Sequence, residues 1–439
     1  MAEHEDTIFA LASGGGRAAV AVLRISGAGS GALLDALCGR RPPPRRASLR
    51  RIRDGGGETL DRALVLWLPG PGTYTGEDGA ELHLHGGPAV IEAVADALVR
   101  AGARPAEAGE FTRRAFLNGR MDLTAAEAVA DLVEAESAEQ RRQALRQMEG
   151  ALGALYEDWS QRLLRVLAQQ EALIDFPDED LPSDVAAALN AEMAALAAEI
   201  GMHLNDDRRG ERTREGLRIA IAGPPNVGKS SLINRLFARD IAIVSDLPGT
   251  TRDALEARLV LGGMVMTMID TAGLRETEDR IEAEGVRRAR ARAAEADIVL
   301  AVHDARAPEE AAAVGSNAPG TGVVIRVANK VDLTPERDTE GAIGVSALTG
   351  HGLDRLRDAL IVAGRDLTVR AGPPPLTRAR HRAALAAALA ALTGAMAEPS
   401  EELRAEELRV TLRMIGRVTG RWGVEEILGE IFSRFCIGK

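Results

Sequence analysis

The sequence predicts a multidomain chain: an α+β segment at the N-terminus, an all-α region split into two parts, and an α/β module set between those parts. Three observations predict it. Short apolar runs bounded by Gly and Pro fill the N-terminal stretch. Ala/Leu-rich segments with helical apolar spacing follow, and similar segments recur at the C-terminal end. Around Gly216 the texture changes to strands alternating with helices, the pattern of an α/β layer.

Taken in order, Ala18–Ile25 and Arg62–Leu68 read as strands, and Glu81-Leu-His-Leu-His85 alternates as a third. Pro88 to Ala101 has helical spacing with proline in the first turn. Residues 1–118 therefore form the α+β module. From Thr124 to Leu173 the pattern reads as one long helical stretch, with Leu145, Met148, Leu152, Leu155, Trp159, Leu163 and Val166 on one stripe. Asp175-Phe-Pro-Asp-Glu-Asp180 breaks it, and a second Ala/Leu helix runs from about Asp184 to Leu204. Residues 119–212 are the first helical part. Leu217–Ala222 is a buried-type strand entering a glycine loop, and 216–371 is the inserted module. Pro373-Pro-Pro375 is a linker. Helices at Arg382–Leu392, Glu401–Ile415 and Val424–Phe435 make 372–439 the second helical part.

The 439 residues suit about three domains. The composition is 46% hydrophobic but only 3% aromatic, which points to helix-rich packing in cores of ordinary size. Cys38 and Cys436 suggest no disulfide framework. The acidic start, Met-Ala-Glu-His-Glu-Asp, is no signal peptide, and no run approaches the roughly 18 apolar residues of a membrane span. A soluble, cytoplasmic protein without membrane association is expected. The net charge of −11 argues against coating nucleic acid by global charge, although Arg40–Arg53, Arg208–Arg214 and Arg287–Arg292 are local basic clusters.

Lysine usage points to chemistry. Of 54 Lys and Arg residues only three are Lys: Lys229, Lys330 and Lys439. A chain that otherwise writes Arg keeps Lys where a planar guanidinium replaces a compact ammonium poorly. Lys229 lies in Gly223-Pro-Pro-Asn-Val-Gly-Lys-Ser230, a match to G-x-x-x-x-G-K-[ST] with a strand before and a helix after. Its backbone N–H groups would cradle phosphates, Lys229 would reach the β- and γ-phosphates, and Ser230 would bind Mg²⁺. Asp270-Thr-Ala-Gly273 follows the apolar run Met264–Ile269 and suits contacts near Mg²⁺ and the γ-phosphate. Asn329-Lys-Val-Asp332 follows the strand Val323–Ala328. Asp332 can accept two hydrogen bonds from guanine, and adenine offers no matching pair. Ser346-Ala-Leu348 is the expected loop under the base. Within Gly249-Thr-Thr-Arg-Asp253, Thr251 is the second hydroxyl ligand expected for Mg²⁺. These elements, in this order, make GTP the expected ligand.

At this point the chain resembles the bacterial tRNA modification GTPases that act on the wobble uridine. The resemblance covers essentially the whole chain. It rests on Leu23-Arg-Ile-Ser-Gly27, Tyr74-Thr-Gly-Glu-Asp78, His85-Gly-Gly87, Gly109-Glu-Phe-Thr112, Ala115-Phe-Leu-Asn118, Ile174-Asp-Phe-Pro-Asp178, Asp270-Thr-Ala-Gly-Leu-Arg-Glu276 and Phe435-Cys-Ile-Gly-Lys439. It implies a folate-binding, dimer-forming N-terminal domain, a discontinuous helical domain and an inserted P-loop G domain. It also implies addition of a (carboxymethyl)aminomethyl group at C5 of uridine 34 of certain tRNAs. In that reaction a 5-formyl-tetrahydrofolate-type folate is the one-carbon donor. The homodimer would join an FAD-containing subunit in a heterotetramer. The folate contacts carry over to Arg24, Glu81 and Arg120, with Lys439 joining them. The nucleotide contacts carry over to Asn226, Val227, Gly228, Lys229, Ser230 and Ser231, to Ser245, Asp246, Leu247, Pro248, Gly249, Thr250 and Thr251, to Asp270, Thr271, Ala272 and Gly273, and to Asn329, Lys330, Asp332, Ser346, Ala347 and Leu348.

Many GTPases orient the attacking water with a Gln just after Asp-x-x-Gly. Here that position is Leu274, and the resemblance assigns the catalytic role to Glu276. No arginine finger is evident. The resemblance implies K⁺ instead, held by carbonyl oxygens of Asn226, Ser245 and Leu247 and by the Thr250 hydroxyl, where it would offset charge developing between phosphates. A ribosome-assembly RNA-binding GTPase is the competing reading, but no KH domain or second G domain is visible. His83 and His85 share a strand face without a plausible third metal ligand.

Overall fold

The computed structural model describes residues 6–175, 184–239, 257–269, 296–307, 322–334, 339, 341–368, 372–422 and 425–439. They fall into two compact units. One comprises Met1–Ala130, Gln147–Arg165 and Arg409–Lys439; the other comprises Asp131–Arg146 and Val166–Leu408.

The first unit is built on a six-stranded sheet of β1 (Ile8–Leu11), β2 (Ala18–Ser26), β3 (Ser48–Arg53), β4 (Thr59–Leu68), β5 (Gly79–Gly86) and β6 (Arg104–Pro105), in the order β3-β4-β5-β2-β1-β6. Its pairings are antiparallel except β1 with β6, which the helix α2 (Pro88–Arg100) makes possible by crossing over between β5 and β6. Strand residues alternate between faces. Leu23, Ile25, Val65, Leu82 and Leu84 meet Leu33, Leu34 and Leu37 of α1 (Ser30–Cys38) and Val94, Ala97 and Leu98 of α2 in one core. Arg24 and Glu81, register partners on β2 and β5, therefore point to the opposite face. A second cluster, Ile8, Ala10, Ala106 and Phe111 with Tyr74 beside it, covers part of that face; Phe111 lies on α3 (Glu110–Leu117).

The C-terminal end folds back onto this unit. Leu123, Ala126 and Val129 of α4 (Leu123–Glu134) pack with Leu428, Phe432 and Phe435. Ile437 bridges Ala108 in an antiparallel pair. Gly438 has φ +95° and passes so close to β1 that a side chain there would begin 2.5 Å from the Leu11 carbonyl.

Arg114, only 3% exposed, ties the segment before β1 to α3 through Asp6 (2.7 Å), Glu110 (2.9 Å) and Glu77 (3.3 Å). Arg104 adds ion pairs to Asp6 and to Glu110 (2.6 Å). Burial pushes the Glu110 carboxyl up, but hydrogen bonds from Arg104, the Glu107 N–H and Arg114 outweigh it and hold it below its ordinary value. Arg114→Met is expected to destabilise the protein by about 3–5 kcal/mol, because Glu77 keeps its burial and loses the ion pair to Arg114, while Glu110 is left with Arg104 alone. The sign of the pH dependence follows from the lowered carboxyl. Its stabilisation is complete above the ordinary carboxylate range and is lost as pH falls through the lowered value. Urea unfolding at neutral and acid pH should therefore show the parent and the variant converging as pH falls.

In the second unit, a six-stranded sheet has the order β12-β11-β10-β7-β9-β8, formed by β7 (Leu217–Ala222), β8 (Ala257–Leu261), β9 (Met264–Ile269), β10 (Ile298–Asp304), β11 (Val323–Asn329) and β12 (Ile343–Val345). All pairings are parallel except the β8–β9 hairpin. Burial on both faces explains the continuous apolar run of β10, every residue of which is buried. Leu232 and Leu236 of α9 (Lys229–Arg239) and Leu353, Leu356 and Leu360 of α10 (Leu353–Thr368) complete its core. The expected helix over Asp184–Leu204 forms as α7, with Leu189, Met193, Leu196 and Ile200 as its buried stripe, and the short α8 (Arg209–Glu215) follows it. The α7 helix packs on α11 (Ala379–Ala397).

One reading of the sequence needs correction. The single stretch from Thr124 to Leu173 is three helices: α4, α5 (Ala138–Met148) and α6 (Ala151–Asp175). Gly150, at φ +88°, ends α5 with its N–H on the Gln147 carbonyl. Within α6 the buried stripe is Leu152, Tyr156, Trp159 and Leu163, so Tyr156 takes the place expected for Leu155. The basic cluster Arg40–Arg53 ends in a strand: β3 runs antiparallel to β4 and buries Ile52 between exposed arginines. The break expected at Phe176–Asp180 and the basic cluster Arg287–Arg292 lie outside the described residues.

The start of α5 also belongs to the second unit for a visible reason. The Glu139 N–H donates to the Gly263 carbonyl at the β8–β9 turn (3.1 Å), Gln140 Nε2 donates to the Arg214 carbonyl (3.0 Å), and Arg258 on β8 pairs with Glu136 (3.4 Å).

Candidate nucleotide-binding site

The strand order of the second sheet reverses direction at β7. The next strand in sequence lies on one side, toward β9 and β8, and β10 to β12 lie on the other. Such a switch point opens a crevice beyond the carboxyl ends of the strands. The loop Gly223–Gly228 leaves β7 at that crevice and feeds α9. Gly223 (φ +152°) crosses so close to β10 that any side chain would collide with the Val302 carbonyl. Gly228 (φ +90°) leaves only 2.5 Å between a would-be side chain and Asn329 Nδ2. Asn226 takes the left-handed conformation (φ +62°), which asparagine tolerates better than most residues.

Asn329, 1% exposed, fastens the site together. Its Nδ2 donates to the Val227 carbonyl (2.8 Å), and its Oδ1 accepts from the Ala347 N–H (3.1 Å). One side chain thus links the phosphate loop, the end of β11 and the Ser346–Leu348 loop. Lys330 reaches across to donate to the Asn226 carbonyl (2.6 Å) and pairs with Asp304 at the end of β10 (2.9 Å). Asp304 is held well below the usual carboxylate range by hydrogen bonds from Arg306, with Lys330 adding to the effect. Lys229 is half-buried, and its ammonium donates to the Gly223 (2.9 Å) and Pro224 (2.7 Å) carbonyls; burial pushes its pKa down. Ser230 and Ser231 are exposed at the start of α9.

Beside these groups lies a cavity of about 600 Å³, lined by Gly228, Ser231, Asn234, Arg235, Asn329, Lys330, Asp332, Leu333, Ala347 and Leu348. Its size suits a nucleobase with its sugar. The structure thus brings together the phosphate loop, Asn329, Lys330, Asp332 and the Ser346–Leu348 loop. Ser245, Asp246, Leu247, Pro248, Gly249, Thr250, Thr251, Asp270, Thr271, Ala272, Gly273 and Glu276 lie outside the described residues. The backbone carbonyl of Asn226 accepts a hydrogen bond from Lys330 at 2.6 Å. Sequence reading missed Asn234, Arg235, Leu333 and Asp304. The first two were findable: with Ser231 they stand three and four positions along α9, on one helix face.

The folate candidates fall on the first unit. Arg24 pairs with Glu81 (3.1 Å) and lies over the Tyr74 ring at 5.9 Å. Two residues past Tyr74, Gly76 runs beneath the Arg120 stem, 3.2 Å from Cδ measured to where a side chain would begin. Lys439 follows Gly438 at the edge of β1, and the β1 residue Ala10 is the register partner of Arg24. His83 and His85 each turn to an acid, Glu81 (3.3 Å) and Asp61 (2.7 Å), and no metal-holding cluster of His, Cys, Asp and Glu occurs among the described residues. No helix among the described residues is long and apolar enough to cross a membrane.

A glycine loop at the switch point of a mostly parallel sheet, facing an Asn-Lys-x-Asp turn, defines a P-loop G-domain fold. Residues 123–436 match the family model described as MnmE helical domain, and residues 7–120 match that of GTP-binding protein TrmE N-terminus. The chain is 56% identical to tRNA modification GTPase MnmE of Granulibacter bethesdensis, over 99% of this chain and 100% of that one. It is also 56% identical to the protein of the same name from Gluconacetobacter diazotrophicus, over the full length of both. Among solved structures, the FeoB G-domain from Methanococcus jannaschii is 24% identical and covers 34% of this chain and 98% of that one, with a TM-score of 0.27. The chain belongs to the MnmE family of tRNA modification GTPases, the family its motifs resemble.

Proposed function

We propose that this protein hydrolyses GTP and uses the cycle to drive modification of tRNA. The observation that carries the guanine reading is the position of Asp332. It lines the same cavity as Lys330 and Ala347, at a turn that Asn329 locks to the phosphate loop. A carboxylate there meets the two N–H groups on one edge of guanine. Family membership supports the tRNA reaction: addition at C5 of the wobble uridine, with an FAD-containing partner and a folate one-carbon donor. Residues 216–371 would be the G domain, which the span of its sheet, Leu217 to Val345, supports. Residues 119–212 and 372–439 would be the two helical parts, and 1–118 the folate-binding, dimer-forming domain. Arg24, Glu81, Arg120 and Lys439 would hold the folate. Ser230 and Thr251 would ligate Mg²⁺, and Glu276 would position the attacking water. The cytoplasm is the matching compartment.

The reading is tested on wobble nucleosides. Mass spectrometry of tRNA from a deletion strain should show the C5-modified uridine gone, and complementation should restore it. Unchanged nucleosides would reject the tRNA role while leaving GTP hydrolysis standing. For the hydrolysis step, K⁺ held by Asn226, Ser245, Leu247 and Thr250 would place a positive charge where charge develops. GTP turnover is therefore expected to be at least about tenfold faster in KCl than in NaCl at equal ionic strength. Equal rates would remove the cation from the mechanism.

A further inference from the structure

We infer that Arg235 is a nucleotide-contacting residue, whose guanidinium covers the open face of the base in the cavity beside Asp332. This rests on the guanine reading above and names a contact that reading does not contain. Two cations line the cavity, Lys330 and Arg235, and they are in opposite states. The ammonium of Lys330 is already engaged, with the Asn226 carbonyl at 2.6 Å and Asp304 at 2.9 Å. It contributes its stem as a wall and keeps the loop in place. Arg235 is exposed and makes no hydrogen bond or ion pair among the described residues.

Its position is set from two sides. It stands on α9, the helix that begins at the phosphate loop, on the same face as Ser231 and adjacent to Asn234. The guanidinium reaches the turn that follows the Ser346–Leu348 loop, with its nitrogens 3.7 and 3.8 Å from where a side chain on Gly350 would begin. Gly350 has φ +87°, a conformation that keeps this position bare, so nothing separates the arginine from the loop. Arg235 therefore bridges the two elements between which the base must enter. A base held edge-on by Asp332 and walled by the Lys330 stem still has a face to cover. Of the apolar groups lining the cavity, Leu348 is 78% exposed. A planar guanidinium stacks on a purine face, and with no competing acid among the described residues it can do so without first breaking an ion pair.

The experiment measures GDP dissociation constants by calorimetry on the full-length protein and on Arg235→Ala, Arg235→Lys and Arg235→Tyr. GDP keeps hydrolysis out of the measurement. Alanine is expected to weaken GDP about tenfold, and tyrosine, which stacks without charge, to recover most of the loss. Lysine should recover little. Parental affinity in the alanine variant would overturn the inference. So would full rescue by lysine with none by tyrosine, since that pattern means a charge acting on phosphate. Asp332→Asn separates the two levels of the argument. If that variant moves preference to xanthosine diphosphate while Arg235→Ala binds GDP like the parent, the guanine site stands and the arginine contact falls. If the parent binds no GDP, the guanine reading falls first.

Discussion

Asp332→Asn is expected to turn a guanine-selective protein into a xanthine-selective one. The aspartate sits in the short turn Val331–Leu333, exposed toward the cavity and carried by a lysine backbone at φ +66°. Its carboxylate can accept from the ring N–H and from the exocyclic amine of guanine. The amide of asparagine keeps one acceptor and replaces the other with a donor, so an N–H would face an N–H. Xanthine carries a carbonyl in place of that amine and restores the match. Sites that pair a polar group in this way reject the mismatched analogue by about 10⁴. The ratio of GTP to XTP affinity should therefore fall by on the order of 10³–10⁴ in the variant. Nothing in the fold should change, because Asp332 has no partner within the described residues to lose. Competition of GTP and XTP for the same labelled nucleotide reads the ratio directly. A variant with the parental preference would remove the base assignment, and with it the reason to place Asn329, Lys330 and Ala347 in a guanine site.

The sequence was readable where local chemistry and tertiary demand agree. The phosphate loop shows in the chain because its glycines answer a backbone need: no side chain fits between Gly223 and the Val302 carbonyl. The Asn329–Asp332 turn shows because each position has one chemical task. The helix Asp184–Leu204 shows because its stripe is regular and its ends are marked. Elements were lost where the pattern is short or shared. β1 is four residues long and β6 two; β6 owes its strand character to β1, and β1 to β2 and β6. β3 hides behind its arginines, since one buried isoleucine gives no periodicity to read. The break between α5 and α6 hinges on a single glycine in a run whose apolar spacing continues straight through it. Asp304 escaped because its role is visible only once β10 and β11 are paired, with Asp304 in register with Asn329 and its carboxylate on Lys330. The clamp of α5 on the β8–β9 turn joins residues more than a hundred positions apart, and no local signal carries it.

Lys229 is where the largest loss of activity is expected. Its ammonium lies inside the phosphate loop, donating to the Gly223 and Pro224 carbonyls at 2.9 and 2.7 Å. Those two carbonyls turn inward with the loop, and the lysine satisfies both while waiting near the path of the phosphates. Burial pushes its pKa down, and the approach of a polyphosphate would push it up again, toward its ordinary value. On the proposed reading, Lys229→Ala would remove the charge facing the β- and γ-phosphate oxygens and leave the carbonyls bare toward an anion. Single-turnover hydrolysis should fall by on the order of 10²–10³. Lys229→Arg tests the finer claim. The guanidinium is a broad planar fork, and the space between two carbonyls of one tight loop admits a compact donor. Arginine should therefore leave the rate at least about tenfold below the parent, although the charge is kept. This is the physical reason an arginine-rich chain retains lysine here. A Lys229→Arg protein that hydrolysed GTP at the parental rate would show that charge alone suffices, and the retained lysine would have no structural cause.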